Sequence, residues 1–138
     1  MNDDMKIVVW RWIERANQDL RSARNDLKDD PPITNNACFH TQQCAEKVLK
    51  AYLVTRHQHV EKTHDLTDIL KKCIQQDSEF FILKDDVVML NNYAVTTRYP
   101  DNWREIPVEE AVEAIENAER IFEFIINKLE KHLGKYEV

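Results

Sequence analysis

ACFHTQQCAEKVLKAYLV, residues 37–54, is the stretch whose reading decides the fold. It has the apolar content of a core helix, yet His40, Gln42, Gln43, Glu46, Lys47 and Lys50 fall within eleven consecutive positions. Placed on a helical wheel at about 100° per residue, Ala37, Cys44, Ala45, Val48, Leu49, Ala51, Tyr52 and Leu53 fill one wide apolar sector. Gln42 falls inside that sector and needs hydrogen-bond partners, because an unpaired buried amide costs about 1–3 kcal/mol. His40, Gln43, Glu46, Lys47 and Lys50 share the remaining wedge with Phe39 and Val54. Two readings of that polar strip stay open. In one it is solvated, Glu46 and Lys50 form a weak i,i+4 pair, and Phe39 covers a loop. In the other it faces a second subunit or a ligand groove, with His40 and Lys47 as donors.

Outward from this helix the pattern stays helical. Before it, Val9, Ile13, Ala16, Leu20, Ala23 and Leu27 make one apolar stripe over about Asp4 to Lys28, flanked by Trp10 and Trp12. Asp30-Pro31-Pro32 ends that helix. Thr34, Asn35 or Asn36 is expected to cap the quoted helix, which runs to about Arg56. After the polar loop RHQHVEKT, Thr63 is the expected cap of a third helix, with Asp65 in its first turn and Leu66, Ile69, Leu70, Cys73 and Ile74 as its stripe. A break is expected around Gln76 to Ser78. A short helix from about Lys84 to Thr96 then buries Val87, Leu90 and Ala94. Pro107 is expected as the first residue of the last helix, with Ala111, Ile115, Ala118, Phe122, Ile125 and Leu129 inward. Glu113, Glu116, Asn117, Arg120 and Asn127 form its opposite face. The sum is an all-α, up-and-down four-helix bundle whose third helix is broken into two segments.

Composition agrees. The chain has 138 residues, 43% hydrophobic and 32% charged, which suits a single bundle over 1–138. One glycine and four prolines favour long helices over the tight turns of a sheet. The net charge of −6 argues against broad nucleic-acid binding, although a local basic patch is compatible with it. Cys38, Cys44 and Cys73 are odd in number and not in a CxxC pair, so reduced, buried thiols and a cytoplasmic location are expected. The acidic start MNDDMK has no signal-type apolar run after it, and no stretch approaches the ~18 apolar residues of a membrane span.

Several of these residues occur in a known arrangement. Trp10, Ala16 and Asp19-Leu20, the block at His40, Gln42, Gln43, Ala45, Glu46, Lys47, Leu49, Lys50 and Ala51, Thr63-His64-Asp65-Leu66, and Arg98-Tyr99-Pro100-Asp101 before a long helix resemble the HEPN (higher eukaryotes and prokaryotes nucleotide-binding) domain family. The likeness covers about residues 10–129 and departs at Thr41, where many members carry a small apolar residue. It implies a four-helix bundle, a homodimer, and association with a minimal nucleotidyltransferase, often as a toxin–antitoxin pair. Many HEPN toxins are also metal-independent endoribonucleases that place a histidine four to six residues after an arginine. No arginine here meets that spacing. Arg56 lies too close to His57 and His59 and one residue too far from His64, and Arg98 has no histidine after it until His132. The missing pair argues against ribonuclease activity by the family's mechanism.

The candidate ligand-binding residues are therefore His40, Gln43, Lys47, Lys50, His64, Arg98 and Tyr99, for a nucleotide-type ligand or RNA. In the TRYPDNWRE loop, Arg98 offers a planar fork for phosphate, Tyr99 and Trp103 offer stacking faces, and Arg104 adds charge. Two alternatives stand beside ligand or partner binding. One is an endoribonuclease with a non-standard site using Arg98 and His40 or His64. The other is a purely structural dimeric subunit. His57, His59 and His64 lack a fourth ligand, so no metal is assigned. No Gly-rich phosphate loop, GxSxG or HExxH is present, so no cofactor is assigned either.

Overall fold

The computed structural model describes residues 3–96 and 104–135, with side chains for all of these but 95 and 96. The described residues contain helices and no strand: α1 (Asp3–Lys28), α2 (Thr34–Thr55), α3 (Leu66–Gln76), a 3₁₀ turn (Ser78–Leu83), α4 (Lys84–Asn91), α5 (Tyr93–Thr96) and α6 (Val108–Leu133). The architecture is an all-helical bundle in which α3 and α4 double back on each other across the 3₁₀ turn, with the end of α4 at Asn91 beside the start of α3 at Leu66, and do not continue as the expected single broken helix. α2 is its centre and packs against α1, α3 and α6.

The apolar stripes explain this order. Val9, Ile13, Ala16, Leu20 and Ala23 bury one face of α1. Ala111, Ala114, Ile115, Ala118, Ile121, Ile125 and Leu129 do the same for α6. α2 buries far more than one stripe, because α1, α3, α4, α5 and α6 all contact it. Tyr52 from α2 meets Phe80 from the 3₁₀ turn at 4.3 Å between ring centroids, and Phe80 meets Phe124 from α6 edge-on at 5.1 Å. Each such pair contributes about 0.5–1.5 kcal/mol beyond its buried area. The three rings thus lock the 3₁₀ turn to α2 and α6.

The helix ends differ from the expected ones in instructive ways. α2 starts at Thr34 with Ile33 as its N-cap and no side-chain cap bond. Asn35 is engaged elsewhere: its Nδ2 donates to the Arg104 carbonyl at 2.8 Å, and its Oδ1 accepts from the Ile106 amide at 3.3 Å. Asp65, not Thr63, caps α3 by accepting from the amides of Thr67 and Asp68. Thr63 Oγ1 accepts from the Asp65 amide, which places the cap. Asn91, at the end of α4, accepts from the Leu66 amide and donates to Asp65 and Thr67, so one residue joins both ends of the broken element. Its side chain is committed there, and the expected helix to Thr96 becomes two, α4 and α5. Pro107 is the N-cap of α6 rather than its first residue, with extended backbone (φ −61°, ψ 150°). Asn117, expected on the outer face of α6, is buried.

Candidate functional site

The polar wedge of α2 is unevenly enclosed: His40, Gln43 and Lys47 are partly buried, and Glu46 and Lys50 lie deeper. Glu46 and Lys50 are each only 5% exposed, and their i,i+4 ion pair spans 3.0 Å in the interior. Glu46 also accepts from His64 Nδ1 at 2.8 Å. A carboxylate paired with a lysine can only accept, so Nδ1 of His64 carries the hydrogen and Nε2 is left as the acceptor. The His64 side chain is 58% exposed, in contrast to its buried partner. Gln42, fully buried, donates to the His64 carbonyl at 3.0 Å and accepts from Gln43 Nε2 at 2.7 Å. That is the partner set its place in the apolar sector demanded. The backbone and ring of His64 are therefore both held by α2.

A second cluster joins the same strip to α1. Asp19 of α1 receives Lys47 Nζ on one oxygen and His40 Nδ1, at 3.2 Å, on the other. His40 Nε2 stands 3.9 Å from Asp26 Oδ2, an ion-pair distance without a hydrogen bond. That Asp26 oxygen is buried and has no hydrogen-bond partner among the described residues. Burial accordingly raises the Asp26 carboxyl above its ordinary value, with His40 acting in the opposite direction. Thr41 sits inward, and its hydroxyl donates to the Cys38 carbonyl one turn back, so the helix itself accommodates the departure from a small apolar residue.

A third cluster closes the other end of the bundle. Tyr93 donates to Glu110 at 2.7 Å, and Arg104 grips the same carboxylate with both terminal nitrogens, at 3.1 and 2.6 Å. The guanidinium holds the Glu110 carboxyl below the usual range. Burial, and then Glu110, pushes the Tyr93 hydroxyl up. Arg104, expected to add free charge to the loop, is thus committed to a structural pair. Cys38, Cys44 and Cys73 are unbridged and buried. Burial raises all three thiols, that of Cys38 to about 12.

A model of the HEPN domain matches residues 9–130. The chain belongs to the HEPN domain family. A Methanocaldococcus jannaschii protein named "Putative toxin MJ1304" is 27% identical, the alignment covering 92% of this chain and 91% of the relative. The crystal structure of TT1696 from Thermus thermophilus superposes with a TM-score of 0.73 at 30% identity, over 87% of this chain and 97% of the other. That of ST0689, described as an archaeal HEPN homologue, gives 0.68 at 26% identity, over 87% and 96%.

Among the candidate residues of this HEPN chain, His40 and Lys47 meet on Asp19, while Lys50 and His64 meet on Glu46 with Gln43 alongside. Arg98, Tyr99 and Trp103 lie outside the described residues. His57 and His59 are exposed in the turn after α2. Among the described residues no group of three His, Cys, Asp or Glu is placed to hold a metal ion, and no helix is long and apolar enough to cross a membrane. The carboxylates that organise both clusters were missed as site residues. The signal for Asp19 and Asp26 was available: they stand seven apart on α1, bordering its apolar stripe, where helical periodicity turns them toward a neighbour.

Proposed function

We propose that this HEPN protein is the binding member of a toxin–antitoxin-like pair. It holds a nucleotide-type ligand, a minimal nucleotidyltransferase partner, or both, and it acts as a homodimer. The observation that carries this reading is the fixed His64. Its exposed imidazole is oriented by a buried carboxylate, while the family's arginine–histidine nuclease spacing is absent. The ligand residues on this reading are His40, Gln43, Lys47, Lys50, His64, Arg98 and Tyr99. His40, Lys47 and Lys50 already have carboxylate partners, so a phosphate reaching them competes with Asp19 or Glu46.

The test is thermal unfolding of wild type, His64→Ala and Arg98→Ala against a panel of nucleotides and a short RNA. In parallel, gel filtration would follow mixtures with a minimal nucleotidyltransferase. A ligand present at 100 times its Kd stabilises by about 2.7 kcal/mol, or roughly 9 °C for a chain of this length. A shift in wild type that both variants lose supports the ligand reading. No shift with any nucleotide, together with no co-elution, overturns it and leaves the purely structural subunit.

One observation favours a second reading, a metal-independent endoribonuclease with a non-standard site. The buried-carboxylate–imidazole pair of Glu46 and His64 leaves Nε2 free to take a proton, as a general base requires. That reading predicts RNA cleavage in chelator that is lost in His64→Ala and Arg98→Ala. Full cleavage by either variant would refute it.

A further inference from the structure

The outward face of α1 takes part in none of the three clusters. Arg11 and Arg15 are exposed on it, and neither has a carboxylate or hydrogen-bond partner among the described residues. Arg24, Arg104 and Arg120, by contrast, are each paired, with Glu119, Glu110 and Asp86. Arg11 and Arg15 stand four apart, so they share one side of the helix, about 6 Å apart along its axis. They divide two hollows. Val8 and Trp12 complete one of about 250 Å³, and Glu14 and Gln18 complete the other, of about 270 Å³. Glu14 borders only the second, so no acid lines the Val8–Trp12 side. Ile7 and Val8 are 49% and 42% exposed. Trp12 is partly buried against the core, which makes it a fixed apolar floor.

The chemistry of this face says what it takes. Trp and Arg are enriched among the residues that carry protein–protein binding energy, and an unpaired guanidinium accepts a carboxylate through two parallel hydrogen bonds. The exposed aliphatic side chains of Ile7 and Val8 call for an apolar partner surface, which a phosphate backbone lacks. Charge also weighs against a nucleic-acid strand. Two free guanidiniums on a chain of net charge −6 release few counterions. Base stacking needs an open ring, and Trp12 packs against the core. A partner helix laid along α1 has the same rise, so two of its carboxylates four residues apart reach Arg11 and Arg15 together. Apolar residues on its adjoining row then pack on Val8 and Trp12.

We infer that the Arg11–Arg15 face of α1 is a docking surface for an acidic amphipathic helix of a partner protein. The face shares no residue with the ligand set of the proposed function, so either can fail without the other. The probe is a fluorescein-labelled, Ala-based helical peptide with two Glu four residues apart beside two Leu at the same spacing. The controls are the same peptide with Lys for both Glu, and a single-stranded RNA of similar length. Fluorescence anisotropy follows binding to wild type, Arg11→Glu/Arg15→Glu and Val8→Asp, with circular dichroism and thermal unfolding as controls of folding. The expected result is saturable binding of the Glu peptide to wild type, weakened roughly tenfold or more in both variants. The Lys peptide should bind Arg11→Glu/Arg15→Glu and not wild type. No binding of the Glu peptide at millimolar concentration, or equal binding by wild type and Arg11→Glu/Arg15→Glu, overturns the inference. Tighter binding of the RNA than of the Glu peptide, lost in the same double variant, overturns it in favour of a nucleic-acid site. Undiminished binding by Val8→Asp overturns the helix-on-helix register and leaves charge attraction alone.

Discussion

Replacing Glu46 with leucine should cost more than any surface carboxylate in the chain, because it strands Lys50. Both groups are almost fully buried, and Glu46 supplies the hydrogen-bonded counter-charge of Lys50 as well as the anchor of His64. Breaking one side of a buried ion pair costs about 3–5 kcal/mol. Lys50 is close enough to the surface for its long stem to carry the ammonium outward, which places the expected loss near the lower figure. Unfolding entropy near 2.1 cal/mol/K per residue gives roughly 290 cal/mol/K for this length, so a loss of ~3 kcal/mol lowers the Tm by about 10 °C. Lys50→Met strands the carboxylate in turn and should cost a similar amount, softened by His64. The double variant Glu46→Leu/Lys50→Met removes both charges from a buried site. It should return to within about 1 kcal/mol of wild type or exceed it. Chemical denaturation of the four proteins closes the cycle, with an expected coupling of at least ~2 kcal/mol. Single variants that each lose less than ~1 kcal/mol, or a double variant equal to the sum of the singles, would refute the buried-pair account and return the strip to solvent.

Other expectations follow from the same clusters. Asp26 carries a buried oxygen without a hydrogen bond, and its carboxyl is raised by burial, so its charged form is disfavoured in the fold. Asp26→Asn should therefore stabilise by about 1 kcal/mol at pH 7. The gain should vanish below the ordinary value of 3.8, where wild type is protonated in both states; denaturation midpoints at pH 7 and pH 3 would check it. Glu110 and Asp77 behave oppositely. Arg104 and Lys128 lower their carboxyls, so their stabilisation is complete above the ordinary values of 4.5 and 3.8 and is lost as pH falls through the lowered ones. Glu110→Gln should flatten the acid limb of a Tm-against-pH curve while changing its neutral part less. The three buried thiols, all raised by burial, should resist an aromatic disulfide reagent until denaturant is added. Labelling of Cys38 in the native protein on the timescale of a free thiol would contradict its burial.

The fold was legible because the apolar spacing of α1 and α6 is strict, and the proline pair and the break near Gln76 punctuate the chain where the helices do end. Caps were less legible. Thr34, Asn35 and Thr63 have the chemistry of N-caps, but tertiary partners claim Asn35 and the turn claims Thr63, while Asp65 takes the cap. The strip of α2 was the largest difference. On a wheel, Glu46 and Lys50 segregate from the apolar sector, and a wheel cannot show that neighbours enclose a helix on several sides. His40 and Lys47 were legible as a pair, but their meeting point, Asp19, lies 28 residues from Lys47. A long-range carboxylate of this kind has no local signature beyond its place beside the stripe.

Asn35 reaches residues 69 and 71 positions further along the chain, so its two hydrogen bonds close the longest loop described above. Loop-closure entropy grows only with the logarithm of length, and each doubling costs about 0.6 kcal/mol. The exposed turn at His57, Gln58 and His59 lies within that loop and outside the packed layers. The amides of His57 and Gln58 are tied back to α2, so the chain is best opened just after Gln58. A flexible tagged segment of about 70 residues inserted there would roughly double the loop at that small cost. The protein can in this way carry a label in its interior sequence, with both ends of the chain left untouched.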